Sequence, residues 1–177
     1  MKKLATGAAF LAGLAVLAVV MLPTVAFGGQ DELAPVREVT AKFHRVEAAL
    51  EAGYELGYVN GAGNRIVTGC IAHPTAGAMG YHYFNKELID DLVVDAGEPE
   101  GLVYAPASNG RLKLVAVEYV VPGANSNPPG VSEPPTVLGQ EMVILVPAVG
   151  WYTRHAWVWS TNPAGIFAHW SPEVACS

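Results

Sequence analysis

The 177-residue chain has only two cysteines, only ten basic residues and none of the common catalytic signatures. No GxSxG elbow, HExxH pair, P-loop, GxGxxG fingerprint, CxxC or EF-hand loop occurs. Any reactive site must therefore be assembled from side chains far apart in sequence. Ten Lys and Arg against sixteen Asp and Glu exclude a basic nucleic-acid-binding domain and argue against anionic membranes as partners. There is no internal repeat and no N-x-Ser/Thr sequon.

Long apolar runs are also missing, with one exception. Of the first 28 residues 20 are hydrophobic. Met1-Lys2-Lys3 is followed by an apolar stretch, Leu4 to Leu22, which Pro23 ends. Small residues Ala26 and Gly28 then occupy the −3 and −1 positions of a cleavage site, so residues 1–28 read as a signal peptide. Cleavage after Ala26, with Thr24 at −3, is the neighbouring alternative. An uncleaved anchor is the other, since about 19 apolar residues just span a bilayer, although Thr6, Gly7 and Gly13 dilute this one. No cysteine follows the run, which argues against a lipoprotein anchor. The expectation is a secreted or periplasmic protein without stable membrane insertion. Its single globular domain, residues 29–177, carries 8 basic and 16 acidic residues.

In an oxidising compartment Cys70 and Cys176 read as one disulfide. On the chain-entropy model, closing so long a loop contributes ~4–5 kcal/mol.

Asp31 to Ala52 has the pattern of a helix. Val36, Val39, Phe43, Val46 and Leu50 form one apolar stripe, Pro35 suits the first turn, and Gly53 suits the position past the end. After a glycine-rich stretch, short β-prone runs follow at Arg65–Ala72, Met79–Phe84, Gly101–Tyr104, Arg111–Val121, Glu141–Val149 and Tyr152–Trp159. Asn109-Gly110 is a hairpin signal, and Gly150 suits another turn. Asn85 reads as the cap of a short helix to Leu92, and Asn162-Pro163 as a second helix start. Without long crossover helices a parallel sheet is disfavoured. The expected fold is α+β, an N-terminal amphipathic helix packed on an antiparallel sheet of about five to six strands. Pro122–Gly139, with five prolines and three glycines, reads as a loop without regular structure.

Alternation along the strands singles out a few polar residues. In Tyr152–Trp159, Arg154 faces outward, so Thr153, His155, Trp157 and Trp159 face inward. In Arg111–Val121, Arg111 and Lys113 mark the outer face, which turns Leu112, Leu114, Ala116 and Glu118 inward. A carboxylate on an apolar face costs several kcal/mol unless it is partnered. His82 lies on a third strand, and His44 sits beside the helical stripe. His44, His82, Glu118 and His155 together have the composition of a Zn or Cu site. The same residues also suit a metal-free hydrogen-bonded network. Tyr83 and Trp157 are the candidate small-ligand contacts. His73, beside Pro74, is expected exposed, and His169 is unassigned. The four tryptophans, all in the last 27 residues, are expected to be mainly core.

Several segments resemble a group of small secreted bacterial proteins of uncharacterised function. They are Ala41-Lys42-Phe43-His44 with Val46-Glu47-Ala48-Ala49-Leu50, Gly77-Ala78-Met79-Gly80-Tyr81-His82-Tyr83, and Leu114-Val115-Ala116-Val117-Glu118-Tyr119. His155-Ala156-Trp157-Val158-Trp159 with Asn162-Pro163-Ala164-Gly165-Ile166-Phe167 and the closing Cys176 complete the set. The resemblance spans nearly all of the mature chain and implies no activity. The functional expectation is a binding domain holding a small ligand or metal ion at the His/Glu cluster. A metal-assisted hydrolase or oxidoreductase and a structural envelope protein are the alternatives.

Overall fold

The expected single helix is broken into three short pieces in the computed structural model, which describes residues 33–176. The leader at 1–28, Asp31 and Glu32 lie outside the described residues. Helix α1 covers Ala34–Thr40, a 3₁₀ turn covers Ala41–His44, and α2 covers Val46–Glu51 after an extended Arg45. Two hydrogen bonds account for the break. The Thr40 hydroxyl donates back to the Val36 carbonyl at 2.6 Å, a pairing that bends helices. The Phe43 carbonyl accepts the buried Tyr104 hydroxyl at 2.6 Å instead of serving a helical ladder. The apolar stripe breaks accordingly. Val36 and Phe43 are buried, whereas Val39 and Leu50 are 38% and 50% exposed. Gly53, at φ +87°, ends α2 as expected.

The strands are β1 (Tyr54–Leu56), β2 (Tyr58–Val59), β3 (Arg65–Ile66), β4 (Ile71–His73) and β5 (Gly77–Asn85), followed by helix α3 (Lys86–Asp90). Then come β6 (Gly101–Pro106), β7 (Leu112–Pro122), β8 (Thr136–Val137), β9 (Gln140–Glu141), β10 (Val143–Ile144) and β11 (Trp151–Ala156). The main sheet runs β1–β5–β6–β7–β11–β10, antiparallel throughout, with β4 paired to the first half of β5. The fold is therefore mixed, an antiparallel sheet with short helices and one disulfide.

Three predicted strands split or shorten. Arg65–Ala72 splits into β3 and β4 at Val67, which sits at φ +56°. Glu141–Val149 retains strand only at its start. Tyr152–Trp159 ends at Ala156, where the Trp157 amide leaves the sheet to donate to the Ile166 carbonyl. Asn85 does cap α3, accepting from the Glu87 and Leu88 amides. Asn162 instead makes a turn, its side chain accepting from the Ala164 amide. The Pro122–Gly139 segment is not structureless. The Ser126 hydroxyl and the Val131 amide fold it back on the carbonyls of Gly123 and Pro122, and its end forms the β8–β9 ribbon.

Both faces of β7 are buried, so the sheet separates two interiors. On one side Leu102, Tyr104, Val117 and Tyr119 pack with Leu33, Val36, Phe43 and Ala49 of the helical segment. On the other, Val103, Ala116 and Trp157 pack with Ala78 and Val174, and a neighbouring group joins Tyr58, Phe84, Val120 and Trp151. Full burial of each Val, Leu or Phe among them contributes about 1.5–3 kcal/mol. The C-terminal segment covers this second face. Ser171 bridges to Ala78, and Cys176 joins Cys70 with 5.6 Å between Cα atoms. Among the described residues, no helix is long and apolar enough to cross a membrane.

Candidate metal centre

One row of the sheet holds Phe84, Gly101, Glu118 and His155, directly opposite one another on β5, β6, β7 and β11. His82 lies two residues before Phe84 and so on the same face. His82 and Glu118 are two strands apart, with β6 between them, a spacing of roughly 9–10 Å. Their side chains must meet over β6, and Gly101 makes this possible. A Cβ there would stand 3.0 Å from the Phe84 ring and 3.2 Å from the Glu118 Cβ. Across the gap His82 Nε2 donates to Glu118 Oε2 at 2.9 Å.

His82, Glu118 and His155 are 2%, 6% and 0% exposed, and each offers one ligand atom within 4.8 Å of the others. Donors around a tetrahedral zinc ion stand ~3.3 Å apart.

The electrostatics suit a cation. Burial pushes the Glu118 carboxyl up, but the adjacent His82, with His155 and His169 beyond it, holds it net below its ordinary value. Burial drives His155 down to about 3, against a smaller opposing pull from Glu118, so its imidazole is neutral near pH 7. Neither ring nitrogen of His155 has a hydrogen-bond partner among the described residues, nor has His82 Nδ1. Buried polar atoms are ordinarily partnered, and an orphaned imidazole carries a desolvation cost of about 1–3 kcal/mol.

His44 is not part of this cluster. It is exposed on the helical side of the sheet, its ring 4.2 Å from Trp159. Helix and sheet do not share one inward face: the sheet has two interiors, and the helix packs on the other one. Tyr83 is misplaced for the same reason, since it packs edge-on against Tyr104 among the helix-side residues, 5.2 Å between centroids. Trp159 likewise joins the helix side, donating to the Thr40 hydroxyl. Trp157 is buried beside His155, 4.7 Å between ring centres, with its Nε1 donating to the Ala168 carbonyl. His73 is exposed, and His169 is half-buried with an unpartnered Nδ1 that burial holds below its ordinary pKa.

A cavity of about 220 Å³ reaches His82, Glu118 and Thr153 from the surface. Sequence reasoning placed Thr153 on the His155 face without giving it a role, and it missed Gly101 altogether. A glycine at the start of a β-run was the only available signal. Comparison with protein-family models, characterised proteins and solved structures finds no match.

Proposed function

We propose that this protein is an exported metal-binding domain in which His82, Glu118 and His155 hold one divalent first-row transition ion, zinc or copper. The observation that carries the proposal is His155. It is fully buried, with neither ring nitrogen hydrogen-bonded among the described residues, beside a carboxylate and a second histidine. A neutral imidazole is the form that ligates a metal, and binding there needs no proton released near pH 7. The leader-like first 28 residues and the Cys70–Cys176 disulfide support export.

The test is zinc or copper added to chelator-treated protein, read by elemental content and by melting. One ion per chain, at about a hundred times its Kd, stabilises by ~2.7 kcal/mol and raises Tm by about 5–10 °C. Glu118→Gln and His82→Ala are expected to abolish the shift. Failure of the wild-type chain to take up metal overturns the proposal.

The cavity favours a second reading. Three protein ligands leave a position for water, and metal-bound water is the nucleophile of a hydrolase. Ester hydrolysis by the zinc-loaded protein, lost in His155→Leu, would distinguish an enzyme from a binding domain.

A further inference from the structure

We infer that the cavity over the cluster binds a small aromatic molecule bearing a single hydroxyl group, of the phenol class. This deepens the metal-site reading by naming what shares the site. It rests on that reading only for the ligand's neighbour, since the cavity walls stand without a metal.

The size is that of one ring. An engineered apolar cavity of ~150 Å³ takes benzene, and this one, at about 220 Å³, has room for a substituted ring. Aromatic faces line it on several sides. Phe84 and Trp151 stand edge-to-face, 5.6 Å between centroids, and Trp170 closes another side. Such walls favour an aromatic guest in edge-to-face or offset contact. Met79 and Val120 complete the apolar lining, and Leu145 and Val146 form part of it from the segment after β10. Val146, 51% exposed, leaves that side open to solvent.

Apart from the indole N–H groups of Trp151 and Trp170, the polar side chains among the lining residues are His82, Glu118 and Thr153. Thr153 is 9% exposed, and its Oγ1 has no hydrogen-bond partner among the described residues. A guest hydroxyl satisfies both kinds of group at once, donating to the Glu118 carboxylate and accepting from Thr153 Oγ1. A sugar or a peptide would strand most of its polar atoms against the apolar walls.

The test is p-cresol titrated into metal-free and zinc-loaded protein, followed by methyl NMR, with toluene as the guest that lacks the hydroxyl. Saturable shifts are expected at Met79, Val120 and Val146 with Kd below about 1 mM, and none at Leu50. Toluene is expected to bind about tenfold more weakly, the worth of one buried hydrogen bond. Thr153→Val, nearly isosteric, is expected to narrow that difference. Val146→Trp, at a half-exposed position that tolerates bulk, is expected to weaken p-cresol binding by about tenfold or more. Absence of saturable shifts, or shifts that survive Val146→Trp unchanged, overturns the inference, and equal binding of toluene overturns its polar half. Saturable p-cresol binding by a protein that takes up no zinc overturns the metal reading alone. Zinc uptake without p-cresol binding overturns this inference alone.

Discussion

His155 and Gly101 carry the argument at the scale of single residues. A metal-free protein gains nothing from an imidazole whose two nitrogens are buried and unpartnered among the described residues. Replacing it with an apolar side chain of similar size removes that penalty. His155→Leu is therefore expected to raise the stability of metal-free protein by about 1–2 kcal/mol in urea unfolding while eliminating metal uptake. A loss of stability instead would make His155 a structural residue. Gly101 is the opposite case, useful for what it lacks. In Gly101→Ala the new methyl meets the Glu118 carbonyl oxygen and the Phe84 ring at 3.0 Å. Expected are a loss of about 1–3 kcal/mol from overpacking and a separated His82–Glu118 pair, visible as a shifted His82 ring resonance. Alternation turns Glu118 and His155 inward, but it also groups Glu118 with Leu112 and Leu114, which pack on the helical side, so the pairing across β7 and β11 is what sets Glu118 opposite His155. Gly101 was not legible, because nothing in a sequence says which bare position lies between two side chains that must touch.

At the scale of elements, period-two counting worked along β11 as far as Ala156 and failed at the start of β7. A bulge there sets Tyr104 opposite Leu114 but Val103 opposite Ala116, so Val115 is the extra residue. Leu114 consequently packs on the helical side, while Val115 and Ala116 both pack on the other. One inserted residue reverses every later side chain, and a sequence does not mark where it is inserted. The helix broke for a related reason, since Tyr104, 61 residues away from Phe43, captures a carbonyl that helical periodicity assigns locally. The C-terminal segment matters to the site through its own attachments. Trp157 bonds to it by backbone and indole, Trp170 lines the cavity, and the disulfide pins its end. Cys70→Ser with Cys176→Ser is expected to cost about 2–5 kcal/mol in urea unfolding. The Trp157 amide should then exchange hydrogen faster than amides of β6, because the cover opens before the sheet does.

For the whole molecule, two buried groups oppose each other in pH. His155 has a folded pKa of about 3 against an ordinary 6.5, so the unfolded chain binds the extra proton between those values and stability falls as pH drops through them. Glu100 is buried at the entrance to β6, accepting from the Val120 amide, and burial raises it from 4.5 to about 8. There the folded chain holds the extra proton, so stability is full below 4.5 and is lost as pH rises toward 8. The lowered Glu118 adds to the acid limb. The two slopes, each about 1.4 kcal/mol per pH unit for one proton, cancel between pH 4.5 and 6.5. Metal-free protein is therefore expected to show a stability plateau in that interval, measured by urea unfolding across pH. Glu100→Gln is expected to flatten the alkaline limb and leave the acid limb in place.

The sequence by itself determined what depends on neighbours in the chain. That includes most of the β-strands and their alternating faces, the cap of α3, the hairpin at Asn109-Gly110 and the residue types available for ligation. Such features follow from backbone periodicity and local hydrogen bonding, which act over a few residues. Tertiary structure decided the rest. The helical segment and the His/Glu cluster occupy opposite faces of the sheet, which removes His44 and Tyr83 from the site and leaves Thr153, Trp151 and Trp170 around the cavity. That assignment depends on which surface each element buries, a property of the packed sheet that no single segment contains.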